Sequence, residues 1–345
     1  MVPNGKSSPD ALKKRSQFKS KHPLAGKEHD SKPAKQDTSQ TKSEKKNAHL
    51  IDSINDFPKK IPPLFRSRMG QVPDGLIALE QQYEPQKEEQ EIHPDFVQDP
   101  LEEEQCHSAS PLLLQKYRGR ALMLAGRTCP IHCRFCFRRH RPTLSKEQHE
   151  ESLEYALDAI ETDTSLREVI LSGGDPLTLD DSTLGLVVQR LSALAHLERI
   201  RVHTRVPIVT PERITHSLLD NLCNSRLPTV IVLHTNHPSE LDTAASQAIK
   251  ALRERGVLLL HQGVLLRGLN DSAEVLNTLF KRLISLGVTP YYLHLLDPVA
   301  GSAHFSVPDE DGITLIHRLR QLLPGYMVPR LAREIPGKQS KTILA

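Results

Sequence analysis

From Arg120 onward the sequence alternates short apolar runs with amphipathic stretches, and this alternation restricts the fold more than any other feature. Apolar runs lie at Ala121–Ala125, Glu168–Leu171, Ile200–His203, Thr229–Leu233, Val257–Leu260 and Tyr291–Leu296. Each is short and reads as a buried strand. Between them, Ser145 and Gln148 make a capping box ahead of Leu153, Ala156, Leu157 and Ile160, an i, i+3, i+4, i+7 stripe. The same stripe recurs at Leu276, Leu279, Phe280 and Leu283, stopped by Gly287, and Gly256 closes a helix that begins near Glu240. Strand–helix units of roughly 30 residues call for parallel strands joined by right-handed crossovers. Six such units fall short of the eight of a closed TIM barrel. The expectation is therefore an α/β fold, an open partial TIM barrel of the (β/α)6 kind.

In such folds the chemistry sits at the C-terminal ends of the strands, and the polar residues obey that rule. Strand one runs into Cys129-Pro-Ile-His132-Cys133-Arg-Phe-Cys136-Phe-Arg138-Arg-His140, and strand two into Ser172-Gly173-Gly174-Asp175. Strands three to six end at His203-Thr-Arg205, His234-Thr-Asn-His237, His261-Gln262, and His294 with Asp297. Three cysteines at C-x3-C-x2-C suit a soft metal or an iron–sulfur cluster. A cubane has four irons, so three thiolates leave one iron open to a substrate or cofactor. A structural zinc site would need a fourth ligand, and His132 and His140 keep a Cys3His site in view. In the second motif, glycines without a Cβ give backbone N–H groups room to approach a ligand. Asp297, at the end of a buried strand, needs a partner for its charge.

Composition separates the chain into parts. Residues 1–46 hold 11 Lys and 1 Arg against 5 Asp plus Glu, so their +7 exceeds the +3 of the whole chain and leaves the remainder acidic by four. Such a segment has too little apolar surface to offset its ordering entropy and is expected to be a disordered, Lys-rich tail. Residues 47–118, rich in proline and charge, are expected to form an N-terminal helical wrap, with helices at Pro63–Met69 and Asp74–Gln82 and a solvated acidic run at Gln86–Glu91. Residues 119–323 make the core and 324–345 a C-terminal segment. No apolar run reaches a membrane span and the N-terminus lacks a secretory h-region. Cys106 and Cys223 do not extend the cluster into a disulfide framework. A cytoplasmic, reducing location and no membrane partner are expected. The absence of Trp, and of any basic face interleaved with aromatics, argues against direct nucleic-acid binding. Nothing in the sequence sets the oligomeric state.

C-x3-C-x2-C followed by Ser172-Gly-Gly-Asp175 resembles the radical S-adenosylmethionine (SAM) enzymes, and Cys-Arg-Phe-Cys-Phe-Arg-Arg-His narrows the resemblance to the lysine 2,3-aminomutases. That resemblance implies a radical SAM core with a 4Fe–4S cluster on Cys129, Cys133 and Cys136. It also implies SAM on the open iron and pyridoxal phosphate (PLP) on Lys341, with Lys338 as the competing lysine. Ser172, Gly173, Gly174, Asp175, Arg205, His234 and Gln262 would contact cofactors, and Arg120 the PLP phosphate, with Lys116 and Tyr117 beside it. Arg138 would take the substrate carboxylate; Asp297 and Glu334 would take the ε-ammonium of L-lysine. Glu334 precedes Lys341 by seven in Glu334-Ile-Pro-Gly-Lys-Gln-Ser-Lys341. This glycine-poor form resembles the branch serving elongation factor P modification. The implied enzyme is an isomerase that shifts the amino group from Cα to Cβ, supplying (R)-β-lysine to a lysyl-tRNA synthetase-like ligase that acts on elongation factor P. Four other readings stay open. They are an aminomutase for another amino acid, with the paired acids arguing against glutamate; β-lysine made for a metabolite; a radical reaction without PLP; and a non-catalytic Fe–S or zinc RNA-associated protein.

Overall fold

The computed structural model describes residues 50–345 apart from 51, 53, 55, 70–78 and 107. The expected tail at 1–46 and most of the expected helix at 74–82 thus lie outside the described residues. A single sheet of nine strands runs in sequence order: β1 (Leu113–Tyr117), β2 (Arg120–Gly126), β3 (Glu168–Gly173), β4 (Arg199–Thr204), β5 (Thr229–His234), β6 (Leu258–Leu265), β7 (Thr289–Leu295), β8 (Arg330–Arg333) and β9 (Thr342–Ile343). β2 through β8 are parallel, while β1 and β9 pair antiparallel at the two edges. The six expected strands are β2 to β7, and the barrel stays open. Its two edges nevertheless curl toward each other, since Lys116 Nζ on β1 donates to Glu334 Oε1, just after β8, at 3.2 Å.

After the N-terminal helix α1 (Pro63–Met69), six longer helices follow the strands among the described residues, besides the single turn Val206–Val209: α2 (Lys146–Thr162), α3 (Asp181–Ala193), α4 (His216–Cys223), α5 (Thr243–Glu254), α6 (Ala273–Ser285) and α7 (Asp309–Leu322). α2 starts on the Ser145/Gln148 capping box and buries Leu153, Ala156, Leu157 and Ile160. α6 buries Leu276, Leu279, Phe280 and Leu283. Gly256 and Gly287 take φ of +73° and +80° just past α5 and α6, the left-handed turn that a helix C-terminus favours. Helix stripes and the outward side chains of the strands form one core, from Ala121 through Val202, Ile231 and Leu259 to Leu331. Burial of this kind is worth about 25 cal/mol per Å² of apolar surface.

Three local expectations change. Residues 79–118 are largely irregular, with single turns at Lys87–Gln90 and Glu103–Cys106, and they end in β1 rather than in helix. Prolines at 85, 94, 100 and 111 interrupt any longer helix there. The acidic run Gln86–Glu91 is not a uniformly solvated face, because Glu89 is only 2 % exposed. The C-terminal segment, finally, adds β8 as a seventh parallel strand and β9 at the edge. Arg330-Leu-Ala-Arg333 is too short and too polar at its ends to announce a strand.

The loops after β2 and β3 interlock backbone to backbone. Gly174 N donates to Gly126 O at 2.7 Å and Asp175 N to Thr128 O at 2.9 Å. A Cβ on Gly174 would stand 2.4 Å from Thr128 O, and one on Gly126 2.4 Å from Asp175 O. These glycines make room for the neighbouring loop. Gly174→Ala is expected to destabilise the protein by about 2 kcal/mol, the scale of overpacking. Gly325→Ala, where a Cβ meets nothing within 4 Å, should change little. Denaturant unfolding of the two variants beside the parent checks this contrast.

Candidate active site

Alternation along the strands builds the site. On β4, Ile200, Val202 and Thr204 are buried, while Arg199, Arg201 and His203 between them keep partial exposure; β6 alternates in the same way. Period two thus turns one set toward the helices and the other into the barrel. The inward set includes Arg201, His203, Gln262, Tyr292 and His294, which line a cavity of about 520 Å³. Cys129, Cys133, Cys136, Arg120, Arg138, Ser172, Gly173, Gly174, Asp175, Arg205, His234, Asp297, Glu334 and Lys341 line the same cavity. Every residue that the resemblance assigns to a cofactor or to the substrate therefore opens on one space. Lys338 does not line it and is exposed.

The cysteine loop is held by charge. Glu89 accepts from Arg134 Nε at 2.8 Å, Arg134 Nη2 at 2.5 Å and Arg139 Nη2 at 2.6 Å. Burial pushes the Glu89 carboxyl up, but hydrogen bonds from both arginines bring it below its ordinary value. Arg138 donates Nε and Nη2 to Glu103 at 2.7 and 2.8 Å, leaving Nη1 directed at Ser172 Oγ, 3.3 Å away. His132 Nδ1 and His140 Nε2 each lie 2.9 Å from a backbone carbonyl, of Pro58 and Ala300. One nitrogen of each imidazole is thus taken by the backbone, while His140 Nδ1 is buried without a partner among the described residues. Among the described residues no three Cys, His, Asp or Glu side chains converge on a single ion. Three thiols spread around one cavity suit a multi-iron cluster better than one zinc.

Behind the cysteines, Asp175 is 4 % exposed and its carboxylate accepts from Thr204 Oγ1, Arg205 N, Val206 N and Leu177 N. It joins the β3 and β4 loops and is largely taken up by them. Arg205 donates Nη1 to Cys133 Sγ at 2.7 Å and Nη2 to Gln82 and Glu240, each at 2.7 Å. His234 packs edge-on against Phe135 with its Nε2 buried and unpartnered, and burial pushes its pKa down to about 3. The ring is neutral and has a nitrogen to offer a ligand.

At the other end, Lys341 pairs with Glu334, which also accepts from Lys116 at 3.2 Å. Burial pushes the Glu334 carboxyl up, but Lys341 and Lys116 hold it down at about 2. Asp297 differs. Burial and the neighbouring Glu334 charge push it up to about 7, and no cation stands within 4 Å among the described residues. Arg120 stacks on Tyr117 at 4.9 Å with its Nε buried and unpartnered. No carboxylate pairs with it among the described residues, so its charge suits an anionic group such as a phosphate. The residues present thus fit a cluster at the cysteines, an amine-reactive phosphorylated cofactor between Arg120 and Lys341, and a cationic group beside Asp297.

Sequence reasoning misses Glu103, Gln82 and Glu240. Glu103 sits in a Leu101-Glu-Glu-Glu-Gln run that reads as surface, and Glu240 reads only as a helix start. Arg201 and His203 are legible as the polar half of Arg-Ile-Arg-Val-His, and Arg201 is held by a bidentate pair with Glu168 at 3.0 and 2.6 Å.

A family model described as the radical SAM superfamily matches residues 123–279. The chain is 43% identical to the L-lysine 2,3-aminomutase of Escherichia coli (strain K12) over 290 residues, covering 84% of this chain and 83% of the relative. It is 44% identical to the L-lysine 2,3-aminomutase of Haemophilus influenzae over 72% of this chain and 74% of the relative. The enzyme of the same name from Buchnera aphidicola is 41% identical over 83% of each chain.

Asp297 yields a stability prediction. Its folded pKa of about 7 lies above the unfolded value near 3.8, so the folded state gives up stability as pH rises from about 4 to 7. Asp297→Asn removes that loss. In protein without cofactors the variant should be more stable than the parent at pH 8, by a few kcal/mol at most. The gain should vanish near pH 4. Unfolding curves at the two pH values decide it.

Proposed function

This chain belongs to the lysine 2,3-aminomutase family of radical SAM enzymes, and from that premise we propose that it interconverts L-lysine and β-lysine using a 4Fe–4S cluster, SAM and PLP. The observation that carries the reading is that the three-cysteine loop and the Lys341, Glu334 and Asp297 group open on one 520 Å³ cavity. Cys129, Cys133 and Cys136 would hold the cluster, with Ser172, Gly173, Gly174, His234 and Gln262 around SAM. Lys341 and Arg120 would hold PLP by its aldehyde and phosphate ends. When bound, the reduced cluster and SAM supply hydrogen-atom abstraction, and PLP supplies the conjugation through which nitrogen moves between adjacent carbons.

The protein's own groups set the substrate's orientation. Arg138 is held by Glu103 along one edge and presents Nη1 beside Ser172, where it can grip the α-carboxylate. Glu334, held ionised by Lys341 and Lys116, would offer the ε-ammonium of lysine a fixed negative partner. The ε-ammonium of lysine, placed beside Asp297, would favour the ionised form of that raised carboxyl. Two acids at this end favour a cationic side chain over the carboxylate of glutamate. The inward His203, His234 and His294 are all pushed below their ordinary pKa by burial, so they add polarity to the barrel without adding charge. Filling the cavity with cofactors and substrate would exclude water from a reactive radical.

We further propose that the β-lysine serves a lysyl-tRNA synthetase-like ligase acting on elongation factor P. The Glu334-Ile-Pro-Gly-Lys-Gln-Ser-Lys341 segment supports this branch, and (R)-β-lysine is the product it implies. The chain is proposed to work in the cytoplasm; among the described residues no helix is long and apolar enough to cross a membrane.

Anaerobic protein reconstituted with iron and sulfide, reduced with SAM, PLP and L-lysine, should yield β-lysine by mass spectrometry. Lys341→Ala should abolish the product and Lys338→Ala should retain it. Asp297→Asn should raise KM for lysine about 30-fold or more, the scale of removing one partner of a buried charge pair. SAM cleavage without β-lysine would leave the radical chemistry standing and sink the substrate. A mass shift on elongation factor P, when ligase and ATP are added, tests the finer step.

A further inference from the structure

We propose that Arg205 sets the reduction potential of the iron–sulfur cluster by donating a hydrogen bond to the Cys133 thiolate, with Glu240 and Gln82 as the residues that hold it there. The inference rests on the cluster reading above and goes beyond it, since the sequence alone places Arg205 only among residues contacting cofactors.

The geometry leaves Arg205 little freedom. Its Nη1 stands 2.7 Å from Cys133 Sγ. Its Nη2 is shared by Gln82 Oε1 and Glu240 Oε2, each at 2.7 Å, and its backbone N–H donates to Asp175 at 2.7 Å. The side chain of Glu240 is fully buried. Its Oε1 accepts from Asn236 N, His237 N and Gln82 Nε2, at 2.9, 3.0 and 3.2 Å. Gln82 is 1 % exposed, and its backbone carbonyl accepts from Arg134 N at 2.8 Å, inside the cysteine loop. Acceptor and donor are thus fixed to the same backbone, and the guanidinium cannot turn away from the sulfur without leaving Glu240 buried and unpaired.

A guanidinium in this place has a defined electrostatic effect. Reduction adds an electron to the cluster, whose negative charge spreads onto its sulfurs. A cation and hydrogen-bond donor at one thiolate stabilises the reduced form more than the oxidised form, and hydrogen bonds to sulfur are among the main determinants of cluster potential. The effect is large here because Arg205 is only 5 % exposed, so water screens it little. Its Nε is buried with no partner among the described residues, which leaves one further donor uncommitted beside the cysteines. Cys133 is the only one of the three cysteines with a side-chain donor of this kind among the described residues, so the bond also marks one corner of the cluster as different from the other two.

The test is a redox titration of the reconstituted enzyme without SAM, followed by the electron paramagnetic resonance of the reduced cluster. Arg205→Lys keeps a cation for Glu240 but cannot span both partners; Arg205→Met removes charge and donors. The midpoint potential should fall in the order wild type, Lys, Met. For Arg205→Met the fall should reach at least a tenfold change in the one-electron reduction equilibrium, about 59 mV. Iron and sulfide content, measured on each variant, establishes that the cluster is present. Variants with a full cluster and wild-type potential would overturn the inference and assign Arg205 to SAM instead, with SAM affinity the quantity that changes. If Arg205→Met fails to fold, Arg205→Lys alone decides between these outcomes. Failure of the wild type to assemble any cluster would instead sink the cluster reading itself.

Discussion

The cysteine loop depends on one buried carboxylate. Glu89 stands between Arg134 and Arg139, with its side chain 3 % exposed and those of the two arginines 2 % and 0 %. Desolvating three charges is costly, and only close geometry with further hydrogen bonds recovers that cost. Those bonds are present: Arg134 Nη1 donates to Phe57 O at 3.0 Å, and Arg139 Nη1 to Arg134 O and Gly301 O at 2.7 and 3.1 Å. Both guanidinium groups also lie over the Phe57 ring at 4.8 Å. Removing Glu89 would strand two buried cations beside the cysteines. The segment before the barrel is therefore part of the cysteine loop in physical terms.

The same pairing of charges runs through the barrel. Arg138, Glu103, Lys116, Glu334 and Lys341 follow one another as alternating signs, joined by contacts of 2.7 Å between Arg138 and Glu103, 3.5 Å between Glu103 and Lys116, and 3.2 Å between Lys116 and Glu334. This chain runs from the cysteine loop, across the open seam between the β1 edge and the β8–β9 edge, to the C-terminal lysine. Hydrogen-bonded strands do not close the seam, but ion pairs span it. An open barrel can thus keep its two edges in register while leaving room for ligands between them.

Much of this is legible in the sequence because the physics is local. Six apolar runs, the Ser145/Gln148 capping box and the α2 and α6 stripes each arise from a period visible in a short window, and all recur in the structure. Strand ends are equally local, which is why the cysteines, Ser172, Arg205, His234, Gln262 and Asp297 gather at one end on the sequence pattern alone. β8 escapes because four residues, Arg-Leu-Ala-Arg, carry no period. Glu89 and Glu103 escape for a different reason. A buried acid and a solvated one look alike in sequence, and only a partner 35 to 50 residues away distinguishes them. The glycines of Ser172-Gly-Gly-Asp175 read as room for a ligand, and they also make room for the neighbouring chain, Gly174 for Thr128 and Gly173 for Leu124 and Gly126.

Asp297 and Glu334 show why the C-terminal end must stay incompletely compensated. Two carboxyl groups face that end, yet Lys341 and Lys116 are committed to Glu334 and leave Asp297 without a close cation among the described residues. The consequence is a divided pair, one acid held at about 2 and the other raised to about 7. Environments that push two titratable groups apart in this way are a mark of a working site. A third fixed cation beside Asp297 would make the empty protein more stable. The empty protein bears a stability cost at this one carboxyl, and under the proposed function the cation it lacks would be the one a lysine side chain brings.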